Sequence, residues 1–280
     1  MLSKLIKNEF KTTGRYILLI MAVLLIITPI TALYLKYGSN ALFGTSQSYS
    51  SNVNSILAIV GKMLESLFSI LYIVAIIAAF ATTAITLLMR FYKSMIGSEG
   101  YLTHTLPVKT SSVIISKTLV AYVWIMLCIL VLFVSIMTFT RIMGAWEGTE
   151  IIDGLRMIHN ELCTMGITNG HIFLFFFILL IQPIVNILYF VLCFSIGQRF
   201  NGHQIVGTII AYMGINFTFQ IVSTIAIALI GPFIETALIA KLSISSCVYL
   251  VLGFALVYQI ALSVVYYFVS LYMFKNKLNI

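Results

Sequence analysis

The sequence predicts an all-α protein that crosses a membrane six times. Of its 280 residues, 61% are hydrophobic and only 9% are charged, whereas soluble domains are about one quarter charged. The apolar residues form six runs, each near the roughly 20 residues that a helix needs to cross the hydrocarbon core. Helices are expected because a spanning segment must satisfy its own backbone hydrogen bonds, and the alternating pattern of barrel strands is absent. The six predicted spans are 16–35, 67–89, 119–140, 172–196, 205–230 and 248–274.

The first 13 residues have the pattern of an amphipathic helix. The apolar face carries Leu2, Leu5, Ile6 and Phe10, and the polar face carries Lys4, Lys7 and Lys11. Helices of this kind lie in the membrane interface, with their cations near anionic headgroups. We therefore predict an interfacial helix over 1–13. No internal repeat or second domain is visible, so we predict one membrane domain over 1–280.

The basic residues predict the orientation. With the N-terminus inside, eleven of the 16 lysines and arginines fall in cytoplasmic segments, which is the bias of the positive-inside rule. The eleven are Lys4, Lys7, Lys11, Arg15, Arg90, Lys93, Lys109, Lys117, Arg199, Lys275 and Lys277, and the external five are Lys36, Lys62, Arg141, Arg156 and Lys241. Both termini are therefore predicted cytoplasmic. The net charge of +8 does not indicate nucleic acid, because the cations form no basic run with interleaved aromatic residues.

The predicted external segments differ in composition. Segment 38–55 is rich in Ser and Asn and predicts an irregular loop, with the second helix beginning as early as Val53. Segment 150–163 carries an apolar stripe that predicts a helix on the outer surface. The stripe consists of Ile151, Leu155, Ile158 and Leu162. Segment 231–246 is unusually apolar for a loop.

No site for enzymatic chemistry is evident. The spans carry no charged residue at their centres, where proton- and ion-coupled transporters commonly place one. The sequence has neither a GxxxxGK[ST] phosphate loop nor an HExxH metal motif. Cys128 and Cys193 fall in spans, and Cys163 and Cys247 fall in external segments, without the spacing of a metal site. A Cys163–Cys247 disulfide is compatible with this placement, but we expect free thiols. We predict no catalytic residue, no metal and no enzyme activity.

The polarity inside the spans comes from five amides. Gln182 and Asn186 are four residues apart in the fourth span, and Asn216 and Gln220 are four apart in the fifth. Each pair therefore shares a helical face, and Gln259 lies in the sixth span. Amides in hydrocarbon need protein or water as partners. They either line a substrate pathway or hold helices together, and we favour helix packing.

The longest polar interruption on the predicted cytoplasmic side is 90–117, between the second and third spans. Ser98 has the residue type of an N-cap, and Glu99 follows where the helix dipole favours an anion. Pro107 ends the helical preference, which predicts a short helix of about two turns. It would offer Tyr101 and Leu102, with Leu106, to a groove on another protein. An ordinary solvated loop is the alternative.

The residues Ser98-Glu99-Gly100-Tyr101-Leu102, followed by Thr105-Leu106-Pro107-Val108, resemble the cytoplasmic loop of small bacterial ABC-2-type transporter permeases. These permeases often carry an acidic-Gly-Tyr-Leu and a Thr-Leu-Pro pattern before their third span. The resemblance covers about a tenth of the chain. It implies that the loop is a coupling helix that seats on a separate ATP-hydrolysing subunit. The implied coupling residues are Ser98, Glu99, Gly100, Tyr101, Leu102, Leu106 and Pro107. The resemblance also implies re-entrant helices in 231–246, where a packed extracellular hairpin is equally compatible with the residues.

The resemblance implies the permease subunit of an ATP-driven exporter in the bacterial cell membrane. ATP and Mg²⁺ would be bound by the partner ATPase, and no cofactor is expected in this chain. A second permease, identical or different, would complete the transporter among membrane lipids. The implied cargo is a peptide, an antimicrobial peptide, a drug or a lipid-like molecule. Two other functions fit the residues: an ATP-independent carrier or channel, and a non-transporting membrane sensor or scaffold.

Overall fold

The computed structural model describes residues 2–38, 51–95, 110–144, 150–200, 203–234 and 244–276. Over these ranges the chain is helical and contains no strand, which confirms the all-α class. The helices are α1 (Leu2–Leu33), α2 (Ser51–Met95), α3 (Thr110–Met143), α4 (Glu150–Thr164), α5 (Asn169–Gly197), α6 (Gln204–Ile234) and α7 (Ile244–Asn276). A π-helical turn, Tyr34–Gly38, follows α1.

Six helical stretches are long and apolar enough to cross a membrane; the first runs from α1 into the π-helical turn, and the others lie in α2, α3, α5, α6 and α7. The stretches are Leu5–Tyr37, Ile59–Ser94, Thr110–Met143, Asn169–Gly197, Gln204–Ile225 and Ser245–Lys275. The six predicted spans are therefore confirmed as helices of spanning length, as in a multi-pass membrane protein. Most of the helices extend past the predicted spans, because adding a residue to an existing helix costs little once its first turn has formed.

The segments outside the spans match the predictions in part. Residues 2–13 are helical, but they form the first turns of α1 and continue without a break to Leu33; their interfacial position stays a prediction. The loop predicted over 38–55 ends earlier than expected, since α2 already begins at Ser51. The predicted helix over 150–163 is confirmed as α4. In 231–246, the ends continue α6 and begin α7, and 235–243 lies outside the described residues. All four cysteines are free, and Cys163 is exposed.

The chain groups into two compact units. One comprises Lys7–Arg90 and Val123–Gly154, and we call it the α1–α2 unit. The other comprises Met1–Ile6, Phe91–Tyr122 and Leu155–Ile280, and we call it the α5–α7 unit. The single membrane domain predicted over 1–280 stays a prediction.

A buried hydroxyl chain joins three helices within the α1–α2 unit. Ser135 Oγ of α3 lies 2.7 Å from Thr28 Oγ1 of α1 and 3.1 Å from the Tyr72 hydroxyl of α2. Thr28 in turn donates to the carbonyl of Leu24, at 2.8 Å. One proton direction satisfies the whole chain: Tyr72 donates to Ser135, and Ser135 donates to Thr28. Three hydroxyls that would be costly in hydrocarbon therefore cross-link α1, α2 and α3.

The same unit contains one very close approach between helices. Gly14 of α1 lies against the buried indole of Trp124 on α3, and a Cβ at this position would be 2.9 Å from that ring. Phe10, one turn earlier, stacks on Trp124 with ring centroids 4.7 Å apart. The absence of a side chain at Gly14 therefore lets the first turns of α1 pack directly on α3.

In the α5–α7 unit, α5 packs on both α6 and α7. Its core is formed by Val185, Leu188 and Leu192 of α5 with Tyr266 of α7. Phe219 of α6 completes the cluster by packing its ring edge-on against Tyr266, with centroids 6.2 Å apart. Burial of these apolar and aromatic side chains fixes α5 as the central helix of the unit.

Candidate functional site

The predicted coupling residues lie outside the described residues. They are Ser98, Glu99, Gly100, Tyr101, Leu102, Leu106 and Pro107. The structure does describe the two helices that border them: α2 ends at Met95 and α3 begins at Thr110. We call the last turns of α2, which end at Met95, and the first turns of α3, which begin at Thr110, the two flanks of the candidate site.

A buried lysine joins the two flanks. Lys117 of α3 is 7% exposed and Ser94 of α2 is 4% exposed, and the Lys117 ammonium donates a hydrogen bond to Ser94 Oγ. Burying a cation costs several kcal/mol unless its donors are satisfied. This contact therefore holds the end of α2 against α3 at a defined position.

Charge counting alone missed the burial of Lys117, although the sequence contains a signal for it. Val113 and Ile114 lie four and three residues before Lys117, and Val120 lies three residues after it. All four residues therefore share a helical face. The three apolar neighbours are buried in the structure. A lysine on an apolar face is a candidate for a buried, hydrogen-bonded cation rather than a surface charge.

The flanks also pack on α5 and α7. The Phe91 ring of α2 stacks on Phe194 of α5, with centroids 5.7 Å apart, and the Tyr92 ring lies 6.2 Å from the same Phe194. Ser111, in the first turn of α3, shares a 2.6 Å hydrogen bond with the Tyr267 hydroxyl of α7. Aromatic and hydroxyl contacts therefore anchor both flanks within the α5–α7 unit.

An ion pair within the α1–α2 unit involves the residue that precedes the α2 flank in the sequence. Arg90 Nε of α2 is 3.4 Å from Glu9 Oε2 of α1. The two side chains are 24% and 12% exposed, so solvent screens the pair less than it would screen a surface pair. The pair connects the residues of α1 predicted to be interfacial with α2, just before the predicted coupling segment.

The five amides do not form a single site. Gln259 of α7 donates to Gln182 of α5, so this pair connects two helices, as the packing interpretation expects. Asn216 donates to the carbonyl of Tyr212 on its own helix, at 3.1 Å. The side chains of Asn186, Asn216 and Gln220 are exposed, as is that of Gln182. The structure therefore brings together Gln182 and Gln259 and leaves the other three on the surface of the described chain.

A cavity of about 420 Å³ lies between α3, α5 and α7. Its lining is predominantly apolar, and comprises Ile115, Thr118, Leu119, Tyr122, Ile184, Leu188 and Tyr267. Thr118 Oγ1 is buried and has no hydrogen-bond partner among the described residues. The volume falls in the range of small-molecule sites, and the lining suits an apolar group.

A buried histidine, which the sequence analysis did not single out, caps α5. His171 is 1% exposed; its Nδ1 accepts from the Thr168 backbone N–H at 2.9 Å, and its Nε2 donates to the Ser245 carbonyl at 2.9 Å. The ring also stacks on that of Tyr249 of α7, with ring centroids 3.6 Å apart. His171 thus takes the place of the Glu or Gln of a capping box and ties the start of α5 to the start of α7.

Over the described ranges, no group of three or more His, Cys, Asp or Glu side chains is arranged to hold a metal ion. The chain matches no protein-family model, no curated protein and no solved structure.

Proposed function

We propose that this protein is the permease subunit of an ATP-driven ABC-2-type exporter. The observation that carries the proposal is the position of the motif at 98–108, between the second and third of six helices of spanning length. The packed flanks support it, because a segment that receives force from another protein needs a rigid attachment to the helices that must move.

In this proposal a separate ATPase subunit binds ATP and Mg²⁺, and this chain supplies no catalytic residue. Glu99, Tyr101, Leu102 and Leu106 form the contact with the ATPase, within a coupling helix bounded by Ser98 and Pro107. Closure of the ATPase moves this contact and, through it, the spans. Both termini lie in the cytoplasm of a bacterial cell, and the chain is surrounded by membrane lipids.

A second permease, identical or related, completes the transporter. The exposed amides Asn186 and Gln220 support this, as does the exposed Asn216, whose Nδ2 donates only within its own helix, since lipid offers amides no hydrogen-bond partner. We propose that they face the second permease or a watery pathway for a peptide, drug or lipid-like cargo. Gln182 and Gln259 pack helices instead.

The test is purification of the native protein in mild detergent, followed by mass spectrometry for a co-purifying ATPase with a Walker motif. Glu99→Arg and Leu102→Arg should each remove the ATPase while membrane insertion persists. Glu65→Arg, which makes the same charge change in a predicted external segment, is the matched control and should retain it.

Two outcomes would contradict the proposal. If intact wild-type protein brings no ATPase, the chain is a carrier, a channel or a scaffold. Transport in sealed vesicles without ATP would then indicate a carrier or channel, and its absence would indicate a scaffold. If the ATPase remains bound in both arginine variants, the assigned contact is wrong.

A further inference from the structure

The ends of the two helices that border the predicted coupling segment belong to the α5–α7 unit. The boundary between the units falls between Arg90 and Phe91 in α2 and between Tyr122 and Val123 in α3. The last turn of α2 and the first turns of α3 therefore pack with α5 and α7. The longer remaining parts of α2 and α3 pack within the α1–α2 unit.

Three contacts of different chemistry carry this arrangement. Phe91 is joined to Phe194 of α5 by ring stacking, and Ser111 to Tyr267 of α7 by a hydrogen bond. Lys117 joins the two flanks directly through Ser94. The first two contacts tie each flank to a different helix of the unit, and the third ties the flanks to each other.

The Ser94–Lys117 contact differs from the other two because it involves a charge. Among the predicted cytoplasmic cations whose side chains the structure describes, Lys117 is the buried one. Loss of an acceptor costs more for a buried ammonium than for a neutral donor, because hydrogen bonds to charged groups are stronger. Separation of α2 from α3 at this point therefore deprives the Lys117 ammonium of the Ser94 acceptor.

We propose that Ser94 and Lys117 are positioning residues that transmit movement of the coupling segment to α5 and α7. This inference rests on the proposed function. With the contact in place, displacement of the segment moves both flanks together, and their contacts with Phe194 and Tyr267 carry the movement into the α5–α7 unit. Without it, the flanks separate and absorb the displacement.

The chain contains its own reporter of this movement. Cys247 lies in the first turn of α7, far along the helix from Tyr267, and is partly exposed. Cys128 and Cys193 are buried, and Cys163 is exposed. A Cys163→Ser background therefore leaves Cys247 as the accessible thiol, on the predicted external side.

The experiment uses the full chain with its co-purified ATPase in lipid nanodiscs, which leave both faces of the bilayer accessible to added reagents. The rate at which a membrane-impermeant maleimide labels Cys247 is measured without nucleotide and with ATP plus vanadate. We expect nucleotide to change the rate several-fold in the Cys163→Ser background. Ser94→Ala and Lys117→Met should each abolish this change while the ATPase remains bound at the same ratio.

Three further variants separate positioning from a merely structural role. The double variant should behave like either single variant, since both remove the same contact. Lys117→Arg, which keeps a cationic donor, should retain the nucleotide effect. Lys93→Met removes an exposed cation next to Ser94 and is the matched control, with an unchanged nucleotide effect.

The outcomes distinguish this inference from the proposed function. An unchanged nucleotide effect in Ser94→Ala overturns the inference alone, and Ser94→Ala decides even if Lys117→Met fails to fold. An ATPase that binds without altering Cys247 labelling in the background protein also overturns it. Failure to recover any ATPase overturns the proposed function, and the inference with it.

Discussion

The hydrogen bond between Gln182 and Gln259 allows a quantitative test of how α5 and α7 are held together. Replacing Gln182 by Leu leaves the Gln259 Nε2 donor without its acceptor. Gln259 Oε1 is already buried and has no partner among the described residues. A polar group left unsatisfied where water cannot reach it costs about 1–3 kcal/mol, and Gln259 lies within a stretch of spanning length, so we expect Gln182→Leu to lower the free energy of unfolding by an amount in this range.

The reverse substitution should cost less. Gln259→Leu removes both the donor and the unsatisfied Oε1, so that only the Gln182 amide loses its partner. The double Leu variant removes both partners, which is nearly neutral when shape is preserved. The pair should therefore show a favourable coupling energy of at least about 1 kcal/mol, and hydrogen bonds between membrane helices have reached about 1.7 kcal/mol in such cycles.

The assay is equilibrium unfolding of the four proteins in mixed detergent micelles, followed by circular dichroism. Asn186→Leu makes the same change one helical turn from Gln182, at an exposed position, and should alter stability by less than about 0.5 kcal/mol. If the effects of the two single substitutions add to within about 0.3–0.5 kcal/mol, the two amides do not interact and the packing assignment is refuted.

Two other substitutions test the α1–α2 unit. Ser135→Ala breaks the hydrogen bonds to Thr28 and Tyr72 and should lower the free energy of unfolding by about 1–2 kcal/mol, since each bond contributes about 0.6 kcal/mol or more. The control Ser263→Ala loses a bond only to its own helix and should have a smaller effect. Equal effects of the two substitutions would contradict the hydroxyl chain. Gly14→Ala places a Cβ 2.9 Å from Trp124 and should cost about 1–3 kcal/mol in thermal unfolding. Gly154→Ala, with no atom within 4 Å of the added Cβ, should be neutral or stabilising, and similar results for both alanines would rule out the close approach.

The six spanning helices were predictable because the length and composition of an apolar run determine whether it can cross a bilayer. The ends of the helices were less predictable. The structure begins α2 at Ser51, in a stretch rich in Ser and Asn that composition assigns to a loop. Helical hydrogen bonds extend into polar sequence once a long helix has formed, so hydropathy marks the hydrocarbon core and not the ends of a helix.

The interhelical contacts were only partly predictable. The amide pattern identified Gln182 and Gln259 as candidates for helix packing, but which amides meet depends on the rotation of each helix about its axis. Lys117 was counted only by its side of the membrane, although its position among Val113, Ile114 and Val120 indicated a buried face. His171 was missed because a histidine in place of Glu or Gln is not the usual residue of a capping box.

Photo-cross-linking from the predicted coupling contact tests the central claim most directly. A photoreactive amino acid at Leu102, activated in cells that produce the protein at native levels, identifies the protein that touches this position. The proposed function predicts a cross-link to an ATPase with a Walker motif, and a much weaker one from Ile56, an exposed position near the start of α2 on the predicted external side. A cross-link from Leu102 only to lipid, or to proteins other than an ATPase, would contradict the proposed function.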